Sequence, residues 1–398
     1  MTQTAVTSDL PLFDIVISGG GMAGSTLAWA LLQANPALKL AIIEQQAETI
    51  SQASFDSRSI ALAAASVDLL QQWGLWADIK PKACAIEHIQ VSDRGHFGKT
   101  RLSAAEYQQQ ALGYVLEVEH LGALLSEKLA GYKQLQRFAP NTLAAITPTQ
   151  QQQVLTLNDG TVLQANLLLI AEGGLSPSRS LAGFSVLERQ YQQHAVIANL
   201  ALAEGHQHTA FERFTEHGPI ALLPLTSQRY SLVYTATPDE ADRLLQLDDT
   251  AFTAQVQQAF GYRAGIFSGA GKRASYPLSL RVSGDIVRHR TALLGNSLHN
   301  VHPIAGQGFN LALRDIAELV RQVNAAPHDI GGYTMLRAYQ QARQLDINTV
   351  TTATDALVRI FSNRSRLMAL ARNTGLLALT LCDELKRPVA EQAMGLRS

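Results

Sequence analysis

Apolar and polar positions alternate along this chain in two rhythms, one strand-like and one helical, and their order predicts the architecture. Phe13 to Ser18 is a short β-prone apolar run that ends in Gly19, Gly20 and Gly21. A helical pattern follows from Met22 to about Gln33, Pro36 breaks it, and Leu38 to Ile43 reads as a second strand. Strand, helix and strand with short connections make a β-α-β unit, the beginning of a parallel sheet. Ser59 to Trp73, rich in Ala and Leu, predicts a helix that stops at Gly74. Val154 to Leu157 and Thr161 to Leu163 flank Asn158-Asp159-Gly160, a hairpin signal. Asn166 to Ala171 is then continuously apolar, as a buried parallel strand would be.

From about residue 190 to 280 the texture changes. Short alternating segments such as Ala195 to Leu200, Ile220 to Leu223 and Tyr230 to Thr235 predict an antiparallel sheet. Arg290 to Leu294 reads as a strand returning to the first sheet, and mostly helical sequence follows from Phe309 to the end.

Composition narrows the field without naming an activity. The chain has 398 residues, 46% of them apolar and 16% charged, which suits a globular α/β protein with room for a second domain. A net charge of −1 predicts no electrostatic attraction to nucleic acid or to an anionic membrane. Two cysteines, Cys84 and Cys382, make neither a disulfide framework nor a cysteine-based zinc site, and they suit a reducing cytosol. No targeting signal opens the sequence and no apolar run reaches 18 residues. The expectation is therefore a cytoplasmic protein, at most peripherally attached to the inner membrane.

Gly19-Gly20-Gly21-Met22-Ala23-Gly24 fits G-x-G-x-x-G, and it stands after a strand and opens a helix. In that setting Gly19 permits a tight turn, Gly21 lets the backbone approach a pyrophosphate, and Gly24 lets the helix pack closely. The N–H groups of the helix start then hold phosphate. Glu44, 20 residues beyond Gly24 at the end of the second strand, is placed to accept hydrogen bonds from a ribose. The fingerprint predicts a dinucleotide and does not distinguish NAD from FAD.

Two further segments resemble the aromatic-ring monooxygenases of the para-hydroxybenzoate hydroxylase type. Leu169-Ile170-Ala171-Glu172-Gly173-Gly174-Leu175-Ser176 resembles their Asp-Gly motif at the end of a strand. Gly295-Asn296-Ser297-Leu298-His299, followed by His302-Pro303-Ile304-Ala305-Gly306-Gln307-Gly308-Phe309-Asn310, resembles their Gly-Asp motif and the Pro-x-x-Gly-Gln-Gly loop against which the flavin packs. Within that family Phe55 to Leu62, Val91 to His96 and Phe211-Glu212-Arg213-Phe214-Thr215 look like the ubiquinone-biosynthesis hydroxylases. The resemblance implies a Rossmann-like FAD-binding domain (1–75, 100–185 and 282–330), an inserted antiparallel-sheet substrate domain (76–99 and 186–281) and a helical C-terminal region (331–398). It also implies bound FAD, NADPH bound transiently because there is only one fingerprint, and O2 activated as a flavin C4a-hydroperoxide. The substrate implied is a prenylated methoxyphenol. Arg58 is placed by the resemblance near the flavin and its phosphates.

Two departures stand out. Glu172-Gly173 replaces Asp-Gly, one methylene longer, and Gly295-Asn296 replaces Gly-Asp. An Asn amide can still accept from the ribityl chain but loses the charge-assisted part of the bond, on the order of 1 kcal/mol.

The flavin-ring loop residues His302, Pro303 and Gly306 are the catalytic candidates. A helix starting near Phe309 would turn its positive end toward the reduced flavin. For the base that activates the phenol, His299, His302, His217 and Tyr234 are open candidates, each matched by an ordinary structural or surface role. Phe211, Arg213, Phe214 and Tyr234 are candidates for the substrate pocket, while alternation at 211 and 213 equally fits a plain strand with one buried face. His299-x-x-His302 reads as part of the flavin loop, and His206 and His208 as an exposed polar loop, so no metal is expected. Gly269-Ala270-Gly271-Lys272 lacks P-loop spacing and reads as a turn. Apolar residues at helical spacing from Leu367 to Leu381 suit packing on the core or a subunit interface, or else contact with a membrane surface. A flavin reductase or oxidase on the same fold, and a non-catalytic scaffold in a biosynthetic complex, stay open as rivals.

Overall fold

The computed structural model describes residues 10–47, 58–95, 98–303, 306–361 and 383–395. Phe55 to Ser57, His96, Ile304, Ala305, Cys382 and the Leu367 to Leu381 stretch lie outside the described residues.

In chain order the N-terminal part runs through β1 (Leu12–Ser18), α1 (Met22–Ala34), β2 (Leu40–Ile43), β3 (Ser59–Ala63), α2 (Ala64–Gln72) and α3 (Trp76–Ile79). Then come β4 (Cys84–Ile86), β5 (His88–Asp93), β6 (Lys99–Ser103), β7 (Gly113–Glu117) and α4 (Val118–Ala130). They are followed by β8 (Leu135–Phe138), β9 (Leu143–Pro148), β10 (Gln153–Leu157), β11 (Val162–Ile170) and α5 (Pro177–Leu181). The middle holds β12 (Val186–Leu202), β13 (Thr209–Thr215), β14 (Gly218–Leu225), β15 (Arg229–Ala236), α6 (Pro238–Gln246) and α7 (Asp249–Phe260). The chain continues with β16 (Phe267–Ala270), β17 (Ala274–Ser283), β18 (Val287–Arg288), β19 (Thr291–Leu293) and β20 (His299–Asn300). It ends in α8 (Gln307–Ala325), α9 (Tyr333–Phe361) and α10 (Asp383–Ala393).

The first sheet has the order β18-β19-β11-β1-β2-β8, with β10 and β9 added on β11. Its centre is parallel: Ile15 to Ser18 of β1 lie beside Leu167 to Ile170 of β11 and Leu40 to Ile43 of β2. These strands are buried on both faces, which is why they read as unbroken apolar runs. The hairpin at Asn158-Asp159-Gly160 forms, and its second arm and the parallel strand after it are one strand, β11. Helices α1 and α8 pack together on this sheet.

The second sheet, of nine strands, has the order β20-β17-β12-β15-β14-β13-β5-β6, with β16 beside β12. Helices α6 and α7 cover one of its faces through a core that includes Leu200, Phe211, Tyr230, Phe252 and Phe260. The boundary drawn between residues 99 and 100 falls inside β6, which pairs with β5 in this sheet. Gly269 and Ala270 end strand β16 rather than form a turn, because β16 pairs with β12 there.

A third sheet of three strands, β3-β7-β4, packs against α8 and against β14 of the nine-stranded sheet and corrects one expectation. Ser59 to Ala63 is a strand paired with β7, and only Ala64 onward is helical. Among the described residues no helix is long and apolar enough to cross a membrane.

Candidate functional site

Strand order brings the three glycine motifs to one edge of the first sheet, at the C-terminal ends of β1 and β11. Gly19 has φ +108°, and a Cβ there would lie 2.8 Å from the Ala171 carbonyl carbon and the Glu172 nitrogen. The turn after β1 therefore presses on the end of β11, and only glycine fits. A Cβ at Gly24 would collide with the Gly19 carbonyl oxygen, so α1 starts tight against that turn. Gly21, the N-cap of α1, has no protein atom within 4 Å of where its Cβ would stand, and no side chain caps the helix. The first N–H groups of α1 thus face open space, with Met22 half-buried behind them. Glu44, just after β2, accepts the Gly20 N–H at 2.6 Å and the Gln46 N–H at 2.9 Å. One bond on each carboxylate oxygen leaves acceptor capacity for a ribose hydroxyl.

The Gly295-Asn296-Ser297 turn meets the same edge. Gly295, at φ +57°, sits close to both Ala23 of α1 and Ala312 of α8. The Asn296 side chain is exposed, and the Ser297 hydroxyl donates to the Glu172 carbonyl at 2.6 Å. Gly173 lies exposed beside it. The Glu172 side chain turns inward, where it accepts from Ser18 Oγ at 2.7 Å, Ser176 Oγ at 2.8 Å, the Ser178 N–H at 3.1 Å and Ser178 Oγ. Its extra methylene is spent on this internal cluster. Buried Arg179 donates to the Ser297 carbonyl at 2.7 Å and the Gly174 carbonyl at 2.9 Å, tying the two motifs together.

The loop before α8 closes the rim. Gly306, at φ +61°, caps α8, and a Cβ there would come within 2.9 Å of the Ala61 Cβ. Its N–H donates to the carbonyl of exposed Pro303 at 3.0 Å. No side chain caps α8, and nothing lies within 4 Å of a Cβ at Gly308, so a second uncapped helix start faces outward. Half-buried Gln307 and Phe309 flank Gly308, with Phe309 packing on the main core. Asn310 faces inward. Its Oδ1 accepts the Ala63 N–H and its Nδ2 donates to the Ala61 and Gly306 carbonyls, all at 2.8 Å. It clamps β3 to the loop. Arg58, at the start of β3, lies with its guanidinium 5.5 Å from the Tyr276 ring centroid.

His302 is 1% exposed, its ring edge-on to Tyr191 at 5.5 Å, and burial lowers its pKa to about 4. The ring is thus neutral at physiological pH. His299 is fully buried, with Nε2 2.6 Å from Asp315 Oδ2, the same oxygen that accepts the Gly295 N–H at 3.0 Å. It supports the turn from behind. His217 sits in the β13–β14 turn, 3.5 Å from Glu216.

The strand pleat divides the expected substrate residues. Phe211 packs on Tyr230 and Phe260, Arg213 lies over the Phe260 ring, and Tyr234 packs on the same core. All three belong to the face covered by α6 and α7. Burial raises the Tyr234 phenol above its ordinary pKa, opposing a role as base. Phe214 points the other way and packs with Val91, Tyr191 and Val358. Of the four, only Phe214 shares a face with Tyr191 and, through it, approaches His302. A single strand cannot present 211 and 214 to one pocket, because neighbouring side chains alternate.

Ser18, Ser178, Arg179, Tyr191 and Asp315 were not among the expected site residues. Asp315 alone carried a signal, as a charge among Leu311, Leu313, Ile316 and Leu319 on an apolar helix face.

Residues 13–354 match the family model described as an FAD binding domain. The ubiquinone hydroxylase UbiL of Rhodospirillum rubrum is 34% identical over 96% of this chain and 89% of its own length. The 3-demethoxyubiquinol 3-hydroxylase of Escherichia coli is 30% identical over 96% of this chain and 98% of its own. The chain belongs to the ubiquinone hydroxylase family of flavoproteins. The p-nitrophenol 4-monooxygenase PnpA of Pseudomonas putida, 14% identical, has the same fold, with a TM-score of 0.78 over 97% of this chain and 99% of that one.

As a member of that family the protein is an FAD-dependent aromatic monooxygenase that acts on a small molecule, and its geometry fits the cofactor. Two uncapped helix starts, α1 and α8, open on one rim, which suits a ligand with a diphosphate in its middle and an electron-accepting ring at one end.

Proposed function

We propose that this protein hydroxylates the aromatic ring of a prenylated methoxyphenol in ubiquinone biosynthesis, using FAD, transiently bound NADPH and O2. The observation that carries this reading is the convergence of the α1 start, the Gly295 turn and the Gly306-Gln307-Gly308 loop on one rim, in a chain 34% identical to a ubiquinone hydroxylase. One oxygen atom enters the ring and the other leaves as water, with NADPH supplying the two electrons. When bound, FAD supplies the redox chemistry linking NADPH to O2.

The protein's part is to bind and to exclude. Gly19, Gly21, Met22, Ala23 and Gly24 with Glu44 would hold the adenosine and diphosphate half, and Asn296 and Arg58 the ribityl and phosphate contacts. Gly306, Gln307, Gly308 and Phe309 would back the ring, with Glu172, Gly173 and Asn310 fixing the rim from behind. His302 and Pro303 would stand at the reacting side. A buried, neutral His302 contributes a hydrogen-bonding ring without drawing in water, which favours a protected oxygen-transfer step. In this reading the first sheet with its helices forms the FAD domain, and the nine-stranded sheet receives the phenol on its Phe214 face. A prenylated substrate partitions into lipid, so the enzyme would work peripherally at the inner membrane, alone, as a homo-oligomer or in a biosynthetic complex.

The test is NADPH consumption by the FAD-loaded protein in air, with and without a short-chain 2-prenyl-6-methoxyphenol. Strong stimulation and a product heavier by one oxygen atom support the proposal. Flavin that is reduced without any oxygenated product would point instead to a reductase.

A further inference from the structure

Cys84 is far in sequence from His206 and His208, which are two residues apart, yet the fold brings the three donor atoms together. Cys84 Sγ lies 3.9 Å from His206 Nε2 and 3.7 Å from His208 Nδ1, and the three atoms are all within 4.8 Å of one another. For a tetrahedral zinc with Zn–S near ~2.3 Å and Zn–N near ~2.0 Å, sulfur and nitrogen should be separated by about 3.5 Å. The two sulfur-to-nitrogen distances lie close to that value.

Two parts of the chain supply the cluster. Cys84 opens β4 and is 5% exposed, while His206 and His208 belong to the loop between β12 and β13. Gln207 and His208 both have positive φ, 49° and 52°, an uncommon conformation for residues other than glycine. Ile86, Val115, Ala210 and Leu225 form an apolar floor beside the cluster, and His208 is exposed, so an ion could enter from solvent. The Leu225 carbonyl lies 2.7 Å from His206 Nε2 and the Ala85 carbonyl 3.2 Å from His208 Nδ1. Without an ion these contacts accept the imidazole protons.

We propose that Cys84, His206 and His208 form a zinc site that clips the three-stranded sheet to the nine-stranded sheet, with water or a neighbouring carbonyl as the fourth ligand. One thiolate and two imidazoles suit a borderline-soft divalent ion and disfavour magnesium and calcium. Binding converts the Cys84 thiol to a zinc thiolate and releases one proton to solvent. Each histidine must carry its remaining proton on the nitrogen away from the metal. For His206 that nitrogen is Nδ1, which now accepts the His208 N–H at 3.1 Å, so this contact must open as the loop shifts. The site lies at a seam between sheets, apart from the residues assigned to FAD, so its role is structural.

The experiment uses the full-length, FAD-loaded protein after chelator treatment, titrated with Zn2+ alone by calorimetry and with Co2+ as an optical probe. We expect one zinc per chain, a higher Tm with zinc, and tetrahedral cobalt absorption to the red of the flavin bands. Cys84→Ser and His208→Ala should each weaken zinc binding by more than about tenfold while FAD content is kept. Cys382→Ser should bind as the parent does. If Cys84→Ser does not fold, exposed His208→Ala decides the question alone. Absence of zinc binding, binding unaltered in His208→Ala, or loss confined to Cys382→Ser overturns the proposal.

Discussion

At the scale of single residues, two buried side chains make opposite demands on their surroundings. His302 is held neutral by burial, with a pKa of about 4 against about 6.5 for a free imidazole. The unfolded chain binds a proton there below about pH 6.5, and the folded chain does so only below about pH 4. Stability is therefore complete above about pH 6.5 and falls as pH drops through this window. Between about pH 7 and about pH 5 the parent should lose about 2 kcal/mol more than His302→Gln. Urea unfolding at the two pH values checks this, and equal losses would show that His302 titrates normally. Asn310 satisfies three backbone groups, so Asn310→Ala should cost about 3 kcal/mol and weaken FAD retention, measured by denaturant midpoint and flavin release. Gly19, Gly21, Gly24 and Glu44 were legible in the sequence because their places follow from backbone geometry within one β-α-β unit. The partners of Asn310 and Glu172 were not. Which carbonyl or serine a side chain meets depends on strand ends that come together only in the fold.

At the scale of elements, periodicity located the strands but not always their faces or their type. Ser59 to Ala63 has the composition of a helix and forms a strand because β7 offers it a partner from Gly113 to Glu117, a pairing that outweighs propensity. The β13 pleat has a testable consequence. Phe211 is 7% exposed within the core beneath α6 and α7, so Phe211→Ala should cost about 3–5 kcal/mol of stability and leave the KM for the phenol unchanged. Phe214→Leu keeps most of the buried volume on the opposite face, so its main effect should be a higher KM at nearly unchanged Tm. Steady-state kinetics beside thermal unfolding separates the two residues. The reverse assignment of effects would place the phenol on the Phe211 side of the sheet.

At the scale of the whole molecule, one buried carboxylate joins parts of the chain that no local pattern connects. Asp315 of α8 has no solvent exposure and accepts the Gly295 N–H and His299 Nε2 on one oxygen and Arg343 Nε, at 2.8 Å, on the other. Arg343 of α9 also reaches Asp346 at 2.6 Å. The turn that would carry the ribityl contact is thereby fixed to α8 and α9. Burial works against the Asp315 charge, but His299, Arg343 and the Gly295 N–H outweigh it and hold the carboxyl below its usual range. This contribution is present above the ordinary carboxylate pKa, about 4, and is lost as pH falls below it. Asp315→Asn removes one of the two carboxylates that pair buried Arg343 and leaves Asp346, so it should cost up to about 3 kcal/mol, the low end for an internal ion pair that loses a partner. The Gly295 turn should loosen with it, so FAD should dissociate faster even at a temperature where the variant is folded. Flavin fluorescence on dilution, read beside circular dichroism, tests both effects together. A variant that loses stability but keeps parental FAD release would show that Asp315 braces the helices without positioning the turn.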